Sequence, residues 1–168
     1  GAPAAAATPV MILDGESTVY HDWRSTTPVL RKVLEDTGLF DVTVVSAPGP
    51  GESLDAFQPD FSRHAAVVLN YDAPEGRWPV ALQRAFEDYI RGGGGLVIVH
   101  AANNAFPAWQ AFNEMAGIGG WRGRGSQAGP YWFLDAEGKL TSDPAPGPTG
   151  THGRRLPFQI ITRAQHPV

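Results

Sequence analysis

Short apolar runs, each closed by polar or turn-forming residues, set the rhythm of the first two thirds of the chain. Val10–Leu13 is a run ended by Asp14-Gly15 and reads as a strand followed by a turn. Residues 16–27 are polar. Thr27-Pro28 then predicts a helix start, with Thr27 as cap and Pro28 at the first helical position. Val29, Leu30, Val33 and Leu34 fall on one face of that helix, and Gly38 closes it. The β-branched run Val42–Val45 is a second strand. Ala65–Leu69 is a third, stopping at Asn70-Tyr71-Asp72. Pro79 opens a helix with Leu82, Ala85, Phe86, Tyr89 and Ile90 facing inward, and Gly92 ends it. Leu96–Val99 is the fourth strand. A short helix from Pro107 to Ala116 buries Trp109, Phe112 and Met115. Beyond Gly117 the rhythm changes. Tyr131–Leu134, a turn at Glu137-Gly138 and Lys139–Leu140 read as a hairpin; residues 142–153 are a Pro/Gly-rich loop; Phe158–Thr162 is a last strand.

The order β-α-β-β-α-β-α, with strands apolar along their whole length, predicts strands covered on both faces. The expected fold is three-layer α/β, with a mainly parallel, doubly wound sheet of flavodoxin-like type. No internal repeat or linker divides the chain, so residues 1–168 are read as one domain, with residues 1–8 disordered.

The glycine run Gly92–Gly95 invites a phosphate-loop reading, but its order is wrong. A phosphate cradle follows a strand and precedes a helix; these glycines follow a helix and precede a strand. A helix cap with a tight turn is the better reading. The informative positions lie past the carboxyl ends of the strands, where open α/β sheets bind ligands. They are Asp14-Gly15-Glu16, Asn70-Tyr71-Asp72 and His100-Ala101-Ala102-Asn103-Asn104.

Composition narrows the chemistry. A formal net charge of −4 argues against nucleic acid as the main partner. No apolar run reaches the length of a membrane helix. The small-residue start, GAPAAAATPV, lacks the regions of a signal peptide. It suits a cytoplasmic protein, or a periplasmic or secreted one whose leader has been removed. No cysteine is present, which removes disulfides, thiolate metal sites and a thiolate nucleophile.

Among the histidines, His64 and His166 read as structural or bland, whereas His100 occupies the corner after a strand. Acting as acid or base it is a catalytic candidate, with Asp14 or Glu16 to orient it. His21 and His152 could reach the same rim, and with His100 they could hold one divalent metal ion such as zinc, although no HxH or HExxH spacing supports this. Asn103 and Asn104 could steady an enolate oxygen or simply cap a helix. Tyr71, Trp121, Arg122 and Arg124 could contact a sugar, with Trp23, Tyr131 and Trp132 near the same loops.

The segments HDWRSTTPVLRKVLEDTGLFDVTVV, VVLNYD, GGGGLVIVHAANNAF, GIGGWRGR, GTHG and QHPV occur in this order along nearly the whole chain. In this the chain resembles the ThuA-like, or trehalose utilisation, family of the class I glutamine amidotransferase-like fold. Relatives usually continue past the His-Pro-Val segment, so the chain is expected to be truncated at its C-terminus. The resemblance implies a role in carbohydrate metabolism, with a small-molecule carbohydrate partner such as a keto sugar derived from a disaccharide. Amidotransferases of this fold place a catalytic cysteine at the corner occupied here by His100, so cysteine-dependent glutamine hydrolysis is excluded. Two readings stay open: an enzyme using His-based acid/base or metal-assisted chemistry, and a non-catalytic sugar-binding or accessory domain. Homodimer formation through the aromatic-rich second half is compatible with either.

Overall fold

The computed structural model describes residues 6–18, 20–74, 76–119, 128–149, 153–160, 162, 164 and 165. Strand β1 (Thr8–Asp14) is buried from Val10 to Asp14 and forms the centre of the sheet. It pairs in parallel with β2 (Phe40–Ser46) on one side and β3 (Ala66–Leu69) on the other, and β3 pairs in parallel with β4 (Gly95–Ile98). The strand order is β2-β1-β3-β4, matching the first four strands of a flavodoxin-like sheet. Leu13 is level with Val45 and Leu69, and Leu69 with Ile98, so the carboxyl ends of all four strands share one rim.

Helices cover both faces. Successive side chains of β1 point to opposite sides. Val10 and Ile12 join Val42 and Val68 under Leu30 and Leu34 of α1 (Trp23–Glu35). Met11 and Leu13 join Val67 and Leu69 against Leu82 and Phe86 of α2 (Val80–Arg91) and Phe112 of α3 (Gln110–Ala116). This second layer is rich in aromatic rings: Phe106 lies 4.9 Å from Trp78, 5.4 Å from Trp109 and 5.2 Å from Phe112, centroid to centroid. A separate antiparallel pair, β5 (Tyr131–Leu134) and β6 (Leu140–Asp143), forms the expected hairpin.

Several local expectations are corrected. α1 begins at Trp23, not at Thr27-Pro28. Asp22 is its cap, accepting from the Arg24 N–H at 3.1 Å and from the Ser25 hydroxyl at 2.6 Å, so Pro28 falls inside the helix. The charged cap wins an extra turn that the polar residues 23–26 concealed. Ala85 faces solvent, and α3 starts at Gln110 rather than Pro107. Thr8, expected in a disordered start, is the first residue of β1 and pairs with Phe40. No strand forms over the described residues of 158–162, where Phe158 and Ile160 are 83% and 85% exposed.

Only the central strands keep the two-sided burial that the apolar runs suggested. Val97 of the edge strand β4 is half exposed. At the glycine run, Gly92 caps α2, Gly93 adopts a left-handed φ of 97°, and a Cβ on Gly94 would overlap the Tyr89 ring. These glycines make a cap and a tight turn, not a phosphate cradle.

Candidate functional site

The chain leaves β1 outward to β2 through α1, then crosses back over β1 to β3. The crevice between β1 and β3 is therefore the topological switch point of the sheet, where open α/β sheets bind ligands. Beneath it two polar clusters brace the rim.

In one cluster, Asp14 is fully buried, and its Oδ2 accepts from the Thr27 hydroxyl at 2.7 Å. Thr27 Oγ1 accepts in turn from Asn70 Nδ2 at 3.0 Å, and the same amide donates to Thr26 Oγ1 at 2.9 Å. Asp14 Oδ1 has no partner among the described residues. In the other cluster, Glu16 accepts from the Tyr71 hydroxyl and from Arg77 Nε, both at 2.7 Å. Arg77 also donates to the backbone carbonyls of Pro48, Gly49 and Glu52. Burial and the adjacent Glu16 carboxylate push the Tyr71 phenol well above its ordinary pKa, so it stays protonated as a donor.

The expected carboxylate partner of His100 is thus not found: Asp14 bonds to Thr27, and Glu16 to Tyr71 and Arg77. The reason is geometric. A carboxylate inside or just past a central strand is drawn under the rim to donors on its neighbours, and burial without them would be costly.

The imidazoles form a third group. His100 follows β4 through Val99 and opens a 3₁₀ turn, His100–Asn104, with a left-handed φ of 43°. Such a conformation in a non-glycine residue costs about 1–3 kcal/mol and persists only where its surroundings enforce it. Here the far end of the turn is anchored by Phe106, itself left-handed at φ 53° and buried in the aromatic layer. His21 arrives from the loop between β1 and α1. Its N–H donates to the Thr18 carbonyl, and the adjacent Asp22 caps α1. The two rings meet edge to face, centroids 4.7 Å apart and planes at 74°.

The histidine pair separates two spaces. An inner cavity of about 280 Å³, itself open to solvent, lies over the switch point, lined by Val29, Leu30, Val99, Ala101, Tyr71 and the buried Asp72. A broad outer groove of about 1130 Å³ is bounded by Thr18, Tyr20, Asn103, Asn104 and Arg155. Both imidazoles line both spaces. Asn103 and Asn104 lie inside the 3₁₀ turn and do not cap α3, whose N-cap residue, Trp109, makes no side-chain capping bond. Asn104 Oδ1 is buried without a partner among the described residues.

Of the expected metal trio, His21 and His100 are brought together; His152 lies outside the described residues, as do Trp121, Arg122, Arg124 and His166. Among the described residues no group of three His, Asp or Glu side chains surrounds a common point. His64 bonds the Asp60 carbonyl ahead of β3, away from the rim. Trp23 lies under the Arg24 guanidinium, 4.4 Å from its ring centroid. Sequence reasoning placed Asn70 on the rim but missed Thr27 and Arg77 as parts of it. The paired threonines at the predicted helix start were the available signal for the first, but they read as a cap.

The ThuA family model, described as trehalose utilisation, matches residues 9–167. The crystal structure of a ThuA-like protein from Parabacteroides merdae superimposes with a TM-score of 0.79 and 40% sequence identity, covering 89% of this chain and 52% of that one. This chain therefore spans about half the length of that relative. A comparison with curated proteins gives no match.

Proposed function

This chain belongs to the ThuA (trehalose utilisation) family, and on that premise we propose that it acts as an enzyme on a sugar-derived substrate, with the His21–His100 pair as its proton-transfer apparatus. The family's description supports a carbohydrate-related role. The observation that carries the finer reading is the meeting of two imidazoles, one on a strained backbone, where a cavity and a groove join at the switch point. Imidazole is the side chain best suited to exchanging protons near neutral pH. The corner that would need a cysteine for thiolate chemistry carries His100, and the 168 residues include none.

The chemistry that fits is proton abstraction next to the carbonyl of a keto sugar. The neutral His100 imidazole takes the proton from the carbon beside the carbonyl. The electrons of that C–H bond form a C=C bond, and the carbonyl oxygen becomes an enolate oxygen. In this reading the side-chain N–H groups of Asn103 and Asn104, which line the groove beside His100, donate to that oxygen. The imidazolium then returns its proton to carbon, and His21 is close enough to accept or supply the proton in its place.

The test is deuterium incorporation. A keto derivative of trehalose is incubated with the protein in D2O and followed by NMR. The expected result is exchange beside the carbonyl, slowed about 100-fold or more in His100→Ala, with the variant folding as the wild type does. Binding without exchange identifies a non-catalytic sugar-binding module instead. Absence of both overturns the carbohydrate reading.

A further inference from the structure

The inner cavity is poorly equipped to hold a sugar ring, although it opens onto the same histidine pair. Apart from the buried Asp72 and the two imidazoles, the polar side chains among its described lining residues are engaged in hydrogen bonds within the chain. Ser17 Oγ accepts from the Trp23 N–H. The Ser25 hydroxyl donates to Asp22 Oδ2 and the Thr26 hydroxyl to the Asp22 carbonyl. Asn70 Nδ2 donates to Thr26 and Thr27, and the Tyr71 hydroxyl to Glu16. What they present to the space is mainly carbon, continued by Val29, Leu30, Val99, Ala101 and Ala102. A hydroxyl-rich ring placed there would give up hydrogen bonds to water with few donors in return. An apolar group would give up nothing. The volume suits one: a dry apolar cavity of about 150 Å³ already accepts benzene, and this one measures about 280 Å³. The outer groove is mixed: Thr18, Asn103, Asn104 and Arg155 line it beside Ile98, Ala116 and Ile118, and the amide oxygen of Asn104 has no partner among the described residues.

We infer that the substrate is amphipathic: a glycoside whose sugar lies in the outer groove and whose small apolar aglycone, of the size of an aryl ring, fills the inner cavity, the His21–His100 pair standing between them. This rests on the carbohydrate reading above and adds to it the class of group on the far side of the glycosidic oxygen. Val29 lines the cavity. It stands on the outer side of α1 and is 61% exposed, so a larger side chain there can narrow that space without disturbing the core.

The test compares methyl and phenyl α-D-glucopyranoside, each as the sugar and as its keto derivative, by calorimetric titration against wild type and Val29→Trp. The expected result is a Kd at least ten-fold lower for the phenyl compound on wild type, with that ratio collapsing towards one in Val29→Trp. Nuclear Overhauser effects from the phenyl protons to the methyl groups of Val29, Leu30 and Val99 on wild type give a readout that does not depend on the variant. Equal affinity for the methyl and phenyl compounds, or a phenyl preference that survives Val29→Trp without those Overhauser effects, overturns the inference and leaves the proposed function standing. No affinity for any of the four overturns the carbohydrate reading itself, and the inference with it.

Discussion

A side chain at position 15 would have nowhere to go. Gly15 has φ +128°, and a Cβ built on it would lie 2.3 Å from the Ala47 carbonyl oxygen and 2.6 Å from its nitrogen. The contact is backbone against backbone at the ends of β1 and β2, where the Ala47 N–H donates to the Asp14 carbonyl at 2.7 Å. Neither partner can swing away. Gly15→Ala combines this clash with a left-handed backbone, and is expected to cost at least ~2 kcal/mol of stability. Urea denaturation checks it as a lower midpoint with an unchanged slope; a midpoint equal to wild type would refute the close approach. The Asp14-Gly15 turn was readable from sequence, because a strand followed by Asp-Gly is a local signal. The crowding by Ala47 was not, because it depends on how β2 lies beside β1.

At the level of elements, α1 shows a local rule giving the right kind of answer at the wrong place. Thr27-Pro28 has the form of a helix start, yet Asp22 begins the helix and Thr27 turns its hydroxyl to buried Asp14. The Ser25 hydroxyl, then the Arg24 N–H and its nearby positive charge, hold the Asp22 carboxyl below its ordinary pKa. A carboxyl with a lowered pKa in the folded state contributes stability that is present above its unfolded value of about 3.9 and lost as pH falls through the folded one. Asp22→Asn keeps a capping oxygen but cannot titrate. The wild type should therefore lose stability relative to Asp22→Asn as the solution is taken from pH 7 to pH 3, read as converging Tm values; a gap independent of pH would show that the charge contributes nothing. The same cap positions His21, so the placement of a site residue follows from the placement of a helix end.

At the scale of the whole molecule, the rim behaves as one braced unit. Arg77, 15% exposed, joins the buried Glu16 after β1 to the carbonyls of the loop after β2, from its own place in the segment between β3 and α2. Arg77→Ala would leave a 4%-exposed carboxylate with only the Tyr71 hydroxyl, and is expected to destabilise by about 3 kcal/mol. Guanidinium denaturation measures this directly, and a loss under about 0.5 kcal/mol, as for a surface pair, would refute the bracing role. No helix among the described residues is long and apolar enough to cross a membrane.

Continuous apolar runs, helical spacing and turn residues determined the four core strands, the helices between them, the parallel α/β class and the hairpin, because these signals are written locally. The ends of strands also named His100, Tyr71, Asn103 and Asn104 as rim residues, since a ligand site in such a sheet lies past its strands. Pairing was decided only by the tertiary structure. That His21 meets His100, that Asp14 turns to Thr27 and Glu16 to Tyr71 and Arg77, and that the imidazoles line both a mainly apolar cavity and a groove of mixed lining all depend on strand order β2-β1-β3-β4, which brings together residues distant in sequence. A residue's type and local spacing say what it can do; the partner that decides what it does is supplied by another element, and no local pattern carries that information.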